Sequence, residues 1–318
     1  MVGGNKILSN TSTYTCSLLI PCHNAANYLP RLWKAVQEQT VPFDEIICYD
    51  DGSTDNTADI ARELGAKVIL GPICYGPSYA RNQLAKASKC TWLHFHDADD
   101  TLYPNYLERA KSQIRENVDV IVCNADWVDA ETQKLVIAWR YKQGELEVDP
   151  ISYTVSHPIG VINVLYRRDN FLSINGFDES MRCWEDSDLH VRLAAAGAKF
   201  LVLEEVLSIS LRHSRGLSSD QIMCSHCRLQ ALKRYALQLD AAVIPVVAEQ
   251  AEIMARNLLY LGDKQGSHQA IQFCQSLGAA PPTTKNILLK MLKVGVPAFR
   301  VLQLQQYFRK NTIGNSAK

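Results

Sequence analysis

Short apolar runs that stop at polar residues alternate with stretches of helical period along the first 123 residues. Residues 16–21 read as a buried strand halted at Pro21. Residues 27–39 repeat apolar side chains at Leu29, Leu32, Trp33 and Val36, the spacing of one helix face. Further strands are predicted over 45–49, 66–70, 92–95 and 118–123. Helices are predicted over 57–64, closed by Gly65, and over 78–87 and 106–116. Strand and helix alternating across short loops predict an α/β fold with a doubly wound, mostly parallel sheet.

Beyond 123 the pattern loosens. Residues 136–141 predict an edge strand, 160–166 form another apolar run, and Asn175-Gly176-Phe177-Asp178-Glu179 is a turn signature. A helix is predicted over 187–196 and strands over 200–203 and 206–210. From about 220 the pattern is helical, over 221–239, 246–261, 267–277 and 284–310. The chain therefore divides into a flexible polar N-terminus (1–15), an α/β domain (16–220) and a helical appendage (221–318).

Three polar sequences sit where predicted strands end: His23-Asn24, Asp50-Asp51, and Asp97-Ala98-Asp99-Asp100. In a doubly wound sheet those ends share one edge, where such sheets bind ligands. Three carboxylates within four positions repel one another. A divalent cation, which takes hard oxygen ligands, offsets that repulsion; taken alone, the cluster also reads as a solvated turn capping the next helix. No G-x-G-x-x-G follows the first strand and no G-x-x-x-x-G-K-[ST] occurs, which argues against a dinucleotide site or a P-loop.

At 318 residues the chain exceeds what one core usually fills. Its formal net charge of zero gives no signal for nucleic acid. The balance is uneven, however: no Asp or Glu follows Asp263, while Lys264, Lys285, Lys290, Lys293, Arg300, Arg309, Lys310 and Lys318 do. With apolar Ile287, Leu288, Met291, Leu292, Val294 and Val296, this tail reads either as a peripheral membrane contact or as a helix packed on the catalytic domain or a partner. Ten scattered cysteines favour a reducing, cytoplasmic setting. Cys224-Ser225-His226-Cys227 reads as two cysteines one helical turn apart, with no second pair to complete a zinc site. No apolar secretory segment is visible at the N-terminus, and no run of about 18 apolar residues predicts a membrane span.

Six motifs, in this order, resemble family 2 glycosyltransferases of the GT-A fold, over residues 16 to about 218. They are Ile20-Pro21-Cys22-His23-Asn24, Glu45-Ile46-Ile47 through Asp50-Asp51-Gly52-Ser53-Thr54-Asp55, Ala80-Arg81-Asn82, Asp97-Ala98-Asp99-Asp100, Asn175-Gly176-Phe177-Asp178-Glu179 and Glu185-Asp186-Ser187-Asp188-Leu189. The resemblance implies an inverting hexosyltransferase of polysaccharide biosynthesis that uses a nucleotide-sugar, most often a UDP-sugar. The acceptor would be a hydroxyl of a glycan or a lipid-linked saccharide. Pro21, His23 and Asn24 would line the donor site, with His23 where the family often has an aromatic. Asp51 would bond the base with Asp50 nearby, Arg81 would orient the nucleotide, and Asp97 would meet the ribose or a metal-bound water. Asp99 would ligate Mg²⁺ or Mn²⁺, and His213 would add a metal or phosphate contact. Asp186 would be the base, with Trp184 beside it available to stack on an acceptor sugar, while Glu185 and Asp188 would favour the start of a helix through its dipole. The chemistry agrees: a departing diphosphate needs its charge stabilised, and inversion needs one base near the acceptor hydroxyl. Two rivals are a non-catalytic glycan-binding or scaffold protein of the same fold, and a sugar nucleotidyltransferase. The second usually needs a glycine-rich phosphate loop that is absent here.

Overall fold

The computed structural model describes residues 14–213 and 219–278. The basic segment 284–310 and most of the polar N-terminus lie outside them. The chain forms two compact units. The first comprises residues up to Glu147, Ile159–Glu179 and Ala196–Arg212. The second takes Val148–Pro158, Ser180–Ala195 and the chain from His213 on.

The first unit is built on one sheet. Its described strands are β1 (Cys16–Cys22), β2 (Glu45–Asp50), β3 (Lys67–Leu70), β4 (Trp92–Phe95), β5 (Thr101–Leu102), β6 (Val120–Asp129), β7 (Leu135–Trp139), β8 (Val164–Arg167) and β9 (Phe200–Arg212). They lie in the order β3-β2-β1-β4-β8-β6-β9-β5, with β7 paired to the outer half of β6. The β3-β2-β1-β4 half is parallel throughout, as the alternation of strand and helix predicted. On the far side β8 is antiparallel to both β4 and β6, and β6 runs parallel to β9.

Helices α1 (Leu29–Gln37), α2 (Thr57–Glu63), α3 (Pro77–Ala87) and α4 (Tyr106–Lys111) follow the first strands. With both faces of the parallel half covered, β1 is buried almost end to end, which is why its sequence is a continuous apolar run. The apolar stripe of α1 buries Leu29, Leu32, Trp33 and Val36.

Three features depart from the pattern read in the sequence. The runs at 200–203 and 206–210 are one strand. Glu204 and Glu205 interrupt the apolar pattern but not the pairing: register shifts opposite Asn124 absorb them. Glu204 pairs with Lys142 at 2.6 Å, and Glu205 with the Arg109 guanidinium. The two-residue β5 was not anticipated. Neither were α5 (Gln143–Val148), α6 (Pro150–Ser156) and α7 (Arg168–Ser173), each only six or seven residues long.

The second unit packs α6, α8 (Glu185–Ala195), α9 (Gln221–Gln238), α10 (Ile244–Tyr260) and α11 (Lys264–Ser276) around Val155, Val191, Leu232, Val247, Ala251 and Ile271. No described helix is long and apolar enough to cross a membrane.

Candidate functional site

In the first unit the polar strand ends do converge. β1, β2 and β4 are neighbours in the parallel half, and Cys22 lies opposite Asp50, so His23, Asp51 and Asp97 leave the sheet at one edge. The exposed His23 ring is held by two bonds. Its Nδ1 donates to the Asp51 carbonyl at 2.8 Å, and its Nε2 accepts from the Asn24 amide at 3.1 Å. That pairing fixes the ring while leaving it exposed. Asn24 adopts a left-handed conformation that asparagine tolerates (φ 51°), and its side-chain oxygen accepts from the Thr54 N–H at 2.9 Å. Strand ends 21–24 and 50–54 are thus locked together before any ligand arrives.

Asp50 accepts from the Ser53 N–H at 3.1 Å. The buried Asp51 carboxylate takes the N–H groups of Tyr75 at 2.9 Å and Gly76 at 2.7 Å, and the Cys74 thiol at 3.3 Å. It therefore holds the 71–77 loop in place, so a base contact would share the carboxylate with that loop. The sequence marked this loop only for its two Gly and two Pro residues.

Gly52 makes the same loop possible. Its φ is +66°, and a Cβ there would fall 2.6 Å from the Ile73 carbonyl carbon and 2.8 Å from the Cys74 nitrogen, both backbone atoms that cannot swing aside. Gly52→Ala is expected to cost about 2–3 kcal/mol, the strain of a left-handed alanine plus displacement of the loop. Thermal unfolding should show the loss; an unchanged midpoint would contradict this account.

The acidic cluster resolves its own repulsion. Asp100 is buried and its carboxyl is pushed well above the usual range, by burial first and then by Asp99 and Asp97. It accepts from the Leu211 N–H at 2.7 Å, a structural role at the β5–β9 pairing. Asp97 pairs with Arg81 at 2.7 Å, and the Arg81 side chain is only 5% exposed. The Arg81 guanidinium also lies over the Phe177 ring, 5.4 Å from its centroid. Phe177 is fixed in turn by Asn82, whose amide bonds both its N–H and its carbonyl. Gly176 permits that approach: with φ +62°, a Cβ would meet the Asn82 Oδ1 at 2.3 Å. Two motifs far apart in sequence thus position one cation against Asp97. The half-buried Asp99 follows, its backbone carbonyl accepting from Arg31. Behind the cluster, His94 and His96 are fully buried, and burial pushes the His94 imidazole down to about 4, so it stays neutral.

The residues Asp186 and His213 belong to the second unit. His213 is the first residue past β9. Asp186 lies half-buried in the first turn of α8, and its Oδ1 accepts from the Ser187 N–H at 2.7 Å. His190, held neutral by burial at about 3, bonds the Asp186 backbone. Asp188 stands in the first turn of α8, where a helix-start carboxylate was expected, and it has a second role. Asp188 is buried and takes Arg192 at 2.7 Å, Arg234 at 3.1 Å and the Tyr235 hydroxyl at 3.1 Å, tying α8 to α9. Trp184 precedes the turn in a left-handed conformation (φ 67°) that is rare for a bulky side chain, and its ring packs against the Arg228 guanidinium at 4.7 Å. Arg228, itself buried, donates to the Val155 carbonyl.

Among the described residues, no three His, Cys, Asp or Glu side chains are placed to hold a metal by themselves.

A family model, glycosyl transferase family 2, matches residues 17–173. An uncharacterized glycosyltransferase of Rickettsia typhi is 30% identical over 196 residues, 57% of this chain and 58% of that protein. The chain spans about half the length of curated relatives of this kind, 37% to 58% in three of them. Among solved structures, S. aureus TarS in complex with UDP-GlcNAc superposes with a TM-score of 0.57 at 17% identity, covering 86% of this chain and 95% of that one. The mannosyltransferase PcManGT of Pyrobaculum calidifontis, in complex with GDP-Man and Mn²⁺, gives 0.62 at 16% identity, covering 96% and 88%. At these identities the structures establish the fold, the GT-A arrangement. Together with the strand-end acids and the Arg81–Asp97 pair, the match identifies residues 17–173 as a glycosyl transferase family 2 domain.

Proposed function

We propose that the protein transfers a hexose from a UDP-sugar to a hydroxyl of a glycan or lipid-linked acceptor, with inversion at the anomeric carbon. The observation that carries this reading is the convergence of His23, Asp51, Asp97 and Arg81 at the carboxyl edge of β1, β2 and β4. His23 offers its open ring face to the base, and Asp51 and Asp50 bond the uridine side. Arg81 and Asp97 orient the sugar nucleotide, and Asp99 is the metal ligand, with His213 adding a metal or phosphate contact. Mg²⁺ or Mn²⁺, when bound, acts as a Lewis acid that stabilises charge on the leaving diphosphate.

Asp186 takes the proton from the acceptor hydroxyl. The acceptor oxygen bonds to the anomeric carbon as the bond to the phosphate oxygen breaks, and UDP leaves. The nucleotide-sugars held by the TarS and PcManGT structures support a donor of this class.

The test is a donor-hydrolysis screen across UDP-, GDP- and dTDP-sugars with Mn²⁺, read as nucleotide release. UDP release is the expected result. No release with any donor and acceptor would favour a glycan-binding module instead. In the same assay Asp99→Asn should weaken metal-dependent donor binding by at least tenfold; an unchanged metal titration would reject Asp99 as the ligand.

A further inference from the structure

The second unit contains a thiol cluster that the proposed reaction does not use. Cys224 and Cys227 lie one turn apart near the start of α9, and the Cys183 thiol is within hydrogen-bonding reach of both. None of the three is in a disulfide; Cys183 is buried, and the two helix cysteines are partly exposed, open to a small oxidant. Two further contacts fix this juxtaposition. Trp184, next to Cys183, packs on Arg228, next to Cys227, and Asp188 is bonded by Arg234 and Tyr235 of the same helix. The carboxylates of Glu185 and Asp186 are close enough to Cys224 to act on its charge.

We propose that Cys183 and Cys224 form a reversible disulfide that switches off the Asp186 turn, with Cys227 as the thiol that reopens it. The switching part rests on the assignment of Asp186 as base; bond formation does not.

A bond between Cys224 and Cys227 would join consecutive turns of one helix and leave the 183–186 segment untouched. A bond from Cys183 ties that segment covalently to α9. Cys224 is partly exposed and Cys183 is buried, so Cys224 is the sulfur that a small oxidant reaches first. With a low-molecular-weight disulfide as oxidant, the Cys224 thiolate attacks one sulfur and releases the first small thiolate. Cys183 then loses its proton and attacks the Cys224 sulfur, and the second small thiolate leaves. Two protein thiols give up two electrons and two protons, and one external disulfide becomes two thiols. Bond formation draws the sulfurs from contact to covalent distance, a movement of about an ångström or more. Asp186 is three residues from Cys183, across the constrained Trp184, and a 1 Å misplacement of a reacting group costs on the order of 10²-fold in rate.

The experiment treats the full chain with oxidised glutathione, alkylates the remaining thiols and maps peptides without reduction. The expected product links the peptides of Cys183 and Cys224. Nucleotide release from the donor found in the screen should fall at least tenfold and recover with dithiothreitol. Cys183→Ser should keep basal activity and lose both the bond and the oxidation response, while Cys227→Ser should form the bond but recover slowly. A Cys224–Cys227 bond, no bond at Cys183, or stoichiometric zinc masking the thiols would overturn the proposal. A mapped Cys183–Cys224 bond with undiminished turnover would overturn the switch. Failure of Asp186 as base shows separately, as activity in Asp186→Asn.

Discussion

Asp186→Asn is expected to lower turnover by about 10²–10⁴-fold, the usual contribution of a positioned base, while donor affinity stays within about twofold. The substitution is nearly isosteric. The amide oxygen still accepts from the Ser187 N–H, and the His190 contact to the backbone at 186 does not involve the side chain. The turn keeps these bonds, and the capacity to take a proton is lost together with the negative charge that acts on the buried Arg228. Measuring nucleotide binding by calorimetry beside steady-state transfer separates the two effects. Near-normal turnover would remove Asp186 as the base, and a parallel loss of donor binding would show that the turn had moved instead.

Two residues further on, the same kind of substitution should act on stability. Asp188→Ala leaves Arg192, Arg234 and the Tyr235 hydroxyl without their shared acceptor. Breaking a buried ion pair from one side costs about 3–5 kcal/mol. Arg192 and Arg234 are 31% and 38% exposed and can turn to water, so a loss nearer 2–3 kcal/mol is expected here. For a chain of this size that corresponds to a fall in Tm of several degrees. Calorimetry or thermal fluorescence would measure it. A midpoint within a degree of the parent would mean that the α8–α9 link does not depend on this carboxylate. Acids of one motif thus divide into chemistry and architecture, and only their neighbours reveal which is which.

That division marks where sequence reading succeeded and where it stopped. The parallel half was legible because each strand end is an abrupt change from apolar to polar, at His23, Asp50 and Asp97. The single β9 was not, because Glu204 and Glu205 look like a break until Arg109 and Lys142 are seen beside them. β5 is too short to carry any period. The Asp51 carboxylate turns to backbone N–H groups more than twenty residues away, a partner that leaves no side-chain signature. Cys224-Ser225-His226-Cys227 lacked a third thiol because Cys183 lies 41 residues upstream of Cys224, outside any local spacing.

The interleaving of the two units bears on how the protein is made. Val155 and Val191 belong to a core whose other members begin at Leu229. During synthesis at about 5–20 residues per second, α6 and α8 emerge seconds before the helices that bury them. The ribosome therefore displays an unfinished apolar surface in mid-chain, a natural point for chaperone capture. For the same reason a chimaera joined at residue 220 would separate α9 from the segments it completes; exchanging the helical unit between relatives means moving 148–158 and 180–195 with it.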